Sequence, residues 1–179
     1  GQNMKIGMGE SLIYSWLRHE KLCQLVQTNW KVSPFWELEN RQEIEDLFVI
    51  CRNYFLEKHS LDISKGCSLE QFLKQAEIDG IGIAYSTEAP YIYAVDVAYH
   101  EGGLNYGGKD ETITKIAQKC IRTALCLYGY FCMSTGEVLF VSPKITPAIE
   151  TALGPLFDEI SKLLHDNGLN IKAILHCND

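Results

Sequence analysis

The chain has 179 residues and a mass of 20.3 kDa; 46% of its residues are hydrophobic and 22% charged. That is the composition of one ordinary folded domain, which excludes disordered, collagen-like and coiled-coil readings. Lys and Arg number 16 against 23 Asp and Glu, a formal net charge of -7. This excludes indiscriminate adhesion to nucleic acid or anionic membrane, but not a local basic groove or a carboxylate cluster that holds a cation.

No apolar run approaches the ~18 residues that span a bilayer, so no membrane partner is expected. The start, GQNMKIGMGE, lacks the pattern of a signal peptide, and Gly1 reads as a remnant of tag cleavage. The seven cysteines are odd in number, lie mostly among apolar residues and include no Cys-x-x-Cys pair. They read as reduced thiols of a cytoplasmic protein rather than as a zinc site or a disulfide framework.

In chain order, residues 9–27 carry Leu12, Ile13, Trp16, Leu17, Leu22, Leu25 and Val26 at mostly helical spacing, which predicts an amphipathic helix. Residues 28–36, which contain Trp, Val, Phe and a Pro, predict a short edge strand. A second helix is expected over 41–58, and a third, short one after Ser68, with Gln71 as the capping-box partner. The period then changes. IDGIGIAY (78–85) and YIYAVDVAYH (91–100) predict two strands paired as an antiparallel hairpin. A Gly-rich loop over 101–110 follows, then a helix over 111–128 capped by Asp110. A buried strand over 137–143, a helix over 146–165 stopped at Asn167-Gly168, and a strand over 170–177 complete the chain. The expected architecture is a single α/β domain over 1–179, a mixed sheet flanked by helices.

Asp79 and Asp96 are the positions with chemical content. Asp96 interrupts the most apolar strand between Val95 and Val97, and a carboxylate buried there is costly unless it is paired or bound to a cation. A hairpin can bring one carboxylate from each strand together, forming the hard oxygen set that Mg²⁺ or Mn²⁺ prefers. Glu10, on the opening helix, is a third candidate ligand. The structural alternative makes Asp79 a turn residue and Asp96 a member of an ion pair.

Glu10 on a helix, Asp79 on one hairpin strand and Asp96-Val97-Ala98 on the next resemble the PD-(D/E)xK nucleases, the restriction endonuclease-like superfamily. The resemblance implies an α-β-β-β-α-β core, with residues 40–77 as a helical insertion. It implies metal ligation by Asp79, Asp96 and Glu10, and hydrolysis of phosphodiester bonds in DNA. The chain departs from the motif at Ala98, where the family carries the Lys that orients water and offsets phosphate charge. Some members move that Lys to the following helix, which makes Lys115 and Lys119 the candidate substitutes; His100 shares the Asp96 face. By helical period Lys115, Lys119 and Arg122 point outward, opposite the apolar stripe. A catalytically inactive binding module of the same fold is the alternative.

A second motif, Gly103-x4-Gly108-Lys109, has the spacing of a phosphate-binding loop, but Asp110 follows where a Ser or Thr is needed. His19, Glu20 and His59 lie on helices with no partner at metal-ligand spacing. Trp30, Phe35, Trp36, Tyr91 and Tyr93 fit either core packing or a surface that stacks bases or pairs two copies as a homodimer.

Overall fold

Alternation of Ile with Gly in 78–85 and the β-branched and aromatic run of 91–97 build the centre of the molecule. The computed structural model describes residues 2–85, 89–98, 107–142 and 145–177. Five strands form one mixed sheet in the order β1 (Leu25–Lys31), β2 (Glu77–Ala84), β3 (Tyr91–Val97), β4 (Thr135–Ser142) and β5 (Asn170–Cys177). The pairs β1–β2 and β2–β3 are antiparallel, whereas β3–β4 and β4–β5 are parallel. Parallel neighbours need long crossovers, which α4 (Lys109–Tyr130) and α5 (Pro147–Asp166) supply. Helix α1 (Gln2–Ser15) precedes β1, and α2 (Arg41–His59) and α3 (Leu69–Lys74) lie between β1 and β2.

The opening helix, expected over 9–27, both begins and ends earlier than its periodicity suggests. After α1 comes a π-helical turn, Trp16–Glu20, and Leu22 then adopts a left-handed conformation at φ 57°. Leu25 and Val26 therefore belong to β1, paired with Ile83 and Gly82. Apolar residues at 22, 25 and 26 suit a helix or a strand, and the backbone hydrogen bonds offered by β2 settle the choice. Strand β1 ends at Lys31, and Trp36 N–H bonds Ser33 O in a turn where the sequence suggested continued strand.

Other termini follow local chemistry closely. Ser68 and Gln71 form the expected reciprocal capping box on α3. Thr146 accepts from the Ile149 N–H at the start of α5, and Gly168, at φ 87°, turns the chain out of it. Helix α4 is capped by Gly108 rather than Asp110, which lies one residue inside the first turn. There its negative charge still meets the positive end of the helix dipole.

Two apolar clusters flank the sheet. The larger gathers α2, α3, α4 and α5 against one face, with Trp30, Phe55, Phe72, Ile92 and Phe140 among its buried members. Helices α2 and α3, expected as an insertion, thus build the main core. The smaller cluster holds Ile13, Leu17 and Cys23 against Ala84, Val95 and Leu139 on the other face. All seven cysteines are free thiols. Among the described residues, no helix is long and apolar enough to cross a membrane.

Candidate functional site

Gly80 and Gly82 decide how α1 meets the sheet. A Cβ added at Gly80 would lie 2.3 Å from Ile13 Cγ2, and one at Gly82 would lie 2.7 Å from Cys23 Sγ. Their missing side chains let Ile13 and Leu17 settle directly on β2. Glu10, three residues before Ile13 and so on the same side of the helix, is carried to the level of Asp79.

Strands β2 and β3 pair regularly from Ala84 opposite Tyr91 to Gly80 opposite Val95. One residue further, the same register sets Asp79 opposite Asp96, and side chains take over the backbone bonding. Val97 N–H donates to Asp79 Oδ2 at 2.7 Å. On the other edge of β2, Thr28 opposes Gly80 and Trp30 opposes Ile78, while Asn29 between them is left-handed at φ 53°. Residues two apart on a strand ordinarily share a face. Here Gly80 faces Ile13 of α1, but Ile78 packs in the opposite, larger cluster. The faces exchange at Asp79.

The two carboxylates have different surroundings. Asp96 is buried at 5% exposure, and Thr123 Oγ1 on α4 donates to its Oδ2 at 3.3 Å. Burial pushes its pKa up to about 7, helped by the charge of Asp79; Lys119, the Asp79 N–H and Thr123 pull the other way. Asp79 is half-buried, and burial raises its pKa against the Val97 N–H and Lys119; Glu77 and Glu10 add to the rise. Two carboxylates that resist ionisation through burial and mutual repulsion have the electrostatics that a hard cation relieves.

Lys119 is half-buried, and its charge acts on both Asp79 and Asp96. Lys115 is half-buried one turn earlier on α4. The outward basic face expected from helical period is therefore not found. Arg122 is 7% exposed, with Nε donating to Phe72 O at 2.7 Å and a terminal nitrogen to Gln75 Oε1 at 3.3 Å. The period argument failed because α4 is enclosed: the sheet lies on one side, and α2, α3 and α5 lie on the others. Gln118, Arg122 and Thr123 meet partners on neighbouring elements.

Asp79 and Asp96 are brought together, with Lys119 acting on both and Glu10 acting on Asp79. Among the described residues no group of three or more His, Cys, Asp and Glu is gathered as a complete metal ligand set. The charge of Asp79 acts on Asp96, and that of Glu10 acts on Asp79. His100 and Gly103 lie outside the described residues; Gly107, Gly108, Lys109 and Asp110 are exposed at the start of α4. His59, which has no partner at metal-ligand spacing along the chain, bonds the distant Glu159 at 2.6 Å between α2 and α5. Trp30 is buried, Tyr91 and Tyr93 are half-buried, and Phe35 and Trp36 are exposed.

Sequence reasoning missed Thr123, Asn29 and the two glycines. Only the glycines left a signal, as a Gly-x-Gly in an otherwise apolar strand, which marks close approach by another element. Comparisons with family models, curated proteins and solved structures gave no match.

Proposed function

We propose that the chain is a divalent-metal-dependent nuclease of the restriction endonuclease-like type, hydrolysing phosphodiester bonds in DNA. The observation that carries this reading is the meeting of Asp79 and Asp96 across the β2–β3 pair where regular pairing stops. With α2 and α3 set aside between β1 and β2, support also comes from the order α1, β1, β2, β3, α4, β4, in which three antiparallel strands are followed by a parallel crossover. That is the α-β-β-β-α-β arrangement the resemblance implies.

The donor set is of the kind that suits Mg²⁺ or Mn²⁺: two carboxylates of hard oxygen, which these ions take together with water. When bound, such an ion supplies Lewis-acid activation of water and offsets charge on the scissile phosphate. Asp79 and Asp96 hold it, and the Val97 N–H and Thr123 hydroxyl fix their orientation. Glu10 extends the acidic wall toward solvent. Lys119 takes the role of the motif Lys, placing positive charge beside the carboxylates and the phosphate.

Ala98 occupies the family's Lys position, 5% exposed, with its N–H bonded to Val141 O. This observation favours the second reading, a catalytically inactive module that keeps the fold and binds a partner.

The test is Mg²⁺ or Mn²⁺ titration, following thermal stability and cleavage of single- and double-stranded DNA together. The nuclease reading expects a metal-dependent rise in Tm and metal-dependent cleavage. Asp79→Asn and Asp96→Asn should each abolish cleavage, and Lys119→Met should lower it about 10²–10³-fold. A metal-induced stability shift without cleavage supports the inactive module. Neither shift nor cleavage overturns the nuclease assignment, and cleavage that survives Asp79→Asn overturns the choice of carboxylates.

A further inference from the structure

A groove of about 430 Å³ opens beside the end of β1, between the turn after that strand, α3 and the C-terminus of α4. One wall is aromatic. Trp36, 49% exposed, stacks on buried Trp30 with ring centroids 5.8 Å apart and planes 30° from parallel. Tyr130 packs against both rings, at 6.1 Å from Trp30 and 6.0 Å from Trp36. Trp30 is held from beneath by Phe131 at 5.4 Å. An exposed Trp mounted on a buried aromatic stack is a rigid platform, and it loses little side-chain entropy when a flat ring settles on it.

The rest of the lining is charged but balanced. Arg41 and Lys74 are matched by Glu37 and Glu70, and Arg41 bonds Glu70 at 2.9 Å. A phosphate would meet as many carboxylates as cations there. A neutral planar heterocycle meets an aromatic face together with both acceptors and donors for its polar edge. Trp30, on which Trp36 stacks, pairs on β2 with Ile78, the residue before Asp79. Phe35, 92% exposed on the same turn, adds a second apolar ring at the approach.

We propose that this groove is a nucleobase subsite, in which an unpaired base of a single-stranded nucleic acid stacks on Trp36. The identity of the ligand rests on the nuclease reading, because it takes the bound strand to be the one whose phosphate reaches Asp79 and Asp96. A duplex buries its base faces in its own stack, so single strands or locally opened strands are the class that fits.

The experiment measures fluorescence anisotropy of labelled single-stranded DNA, single-stranded RNA and duplex DNA of equal length. Full-length protein is used in chelator, so that binding is read without cleavage. Single strands should bind tighter than duplex, and Trp36→Ala should weaken single-strand binding about 5- to 100-fold while Trp36→Phe retains most of it. The DNA and RNA arms separate the two sources of the same base chemistry. Tm measured on both variants separates lost stacking from lost folding. Unchanged single-strand affinity in folded Trp36→Ala, equal loss in Trp36→Phe, or absence of single-strand binding each overturns the subsite. Binding that depends on Trp36 in a protein that never cleaves DNA keeps the subsite and removes only the nuclease assignment; cleavage unaffected by Trp36→Ala does the reverse.

Discussion

At the scale of single residues, Asp96 is a carboxyl held at 5% exposure inside an apolar strand. Its folded pKa is pushed up to about 7 by burial and by Asp79, whereas an unfolded Asp releases its proton near 3.8. Between about pH 4 and pH 7 the folded chain therefore holds a proton that the unfolded chain has lost. Stability falls as pH rises through that window, by a few kcal/mol at most for a shift of this size, and levels off above it. Replacing Asp96 with Asn removes that slope. In chelator, urea denaturation should show Asp96→Asn gaining stability relative to the parent protein between pH 5 and pH 8, and a constant difference would contradict the burial argument. Saturating Mn²⁺ should flatten the pH dependence of the parent protein, because a bound cation favours the ionised pair. Asp96 was legible in the sequence as an acid inside an apolar strand. Thr123 was not, since nothing in the local pattern of a helix says that a threonine will meet a carboxylate from a distant strand.

At the scale of elements, glycines decide how closely the layers approach. Gly136 in β4 is the tightest: a Cβ there would lie 2.1 Å from the Ile92 backbone oxygen, which has little freedom to move. At Gly80 the obstacle is a side-chain methyl of Ile13, which can shift. Gly154 in α5 has nothing within 4 Å and pays only the entropic penalty of glycine in a helix. Thermal denaturation should thus rank the Ala substitutions by neighbour. Gly154→Ala should stabilise by about 0.5–1 kcal/mol. Gly80→Ala should destabilise by about 1–3 kcal/mol, and Gly136→Ala by more than Gly80→Ala. A neutral Gly136→Ala would show that β3 and β4 are spaced more widely than described. Gly80→Ala carries a second consequence: displacing Ile13 tilts α1 and moves Glu10 relative to Asp79. Element types were readable because period and caps are local, as the Ser68–Gln71 box and the Gly168 stop illustrate. Where an apolar set suits two periods, as at Leu22, Leu25 and Val26, neighbouring strands decided, and the predicted helix ended early.

At the scale of the whole molecule, the acidic balance limits what DNA affinity can rest on. With a net charge of -7, Lys119 beside carboxylates and Arg41 paired to Glu70, the proposed sites offer few cations to release counterions from a phosphate backbone. Binding to DNA in chelator should respond weakly to salt, with a slope of log affinity against log salt equivalent to about three phosphates or fewer. A slope equivalent to six or more would reveal an extended basic track and contradict a mode dominated by metal and base stacking. The same economy of charge explains α4. Enclosed by the sheet, α2, α3 and α5, it turns Lys119 toward two carboxylates and Arg122 toward the Phe72 carbonyl.

Composition, period and turn chemistry by themselves determined an α/β chain, the β2–β3 hairpin and the main helices, and singled out Asp79 and Asp96 as candidate acids. These are properties of neighbours along the chain. Tertiary structure alone decided that the two acids stand opposite each other where the sheet's faces exchange, and that Glu10 reaches their level over two glycines. It also decided that Lys119 lies inward and that Trp36 rides on a buried aromatic stack. Those outcomes depend on which surfaces meet, and sequence period describes only the two faces of each element, not what will be packed against them.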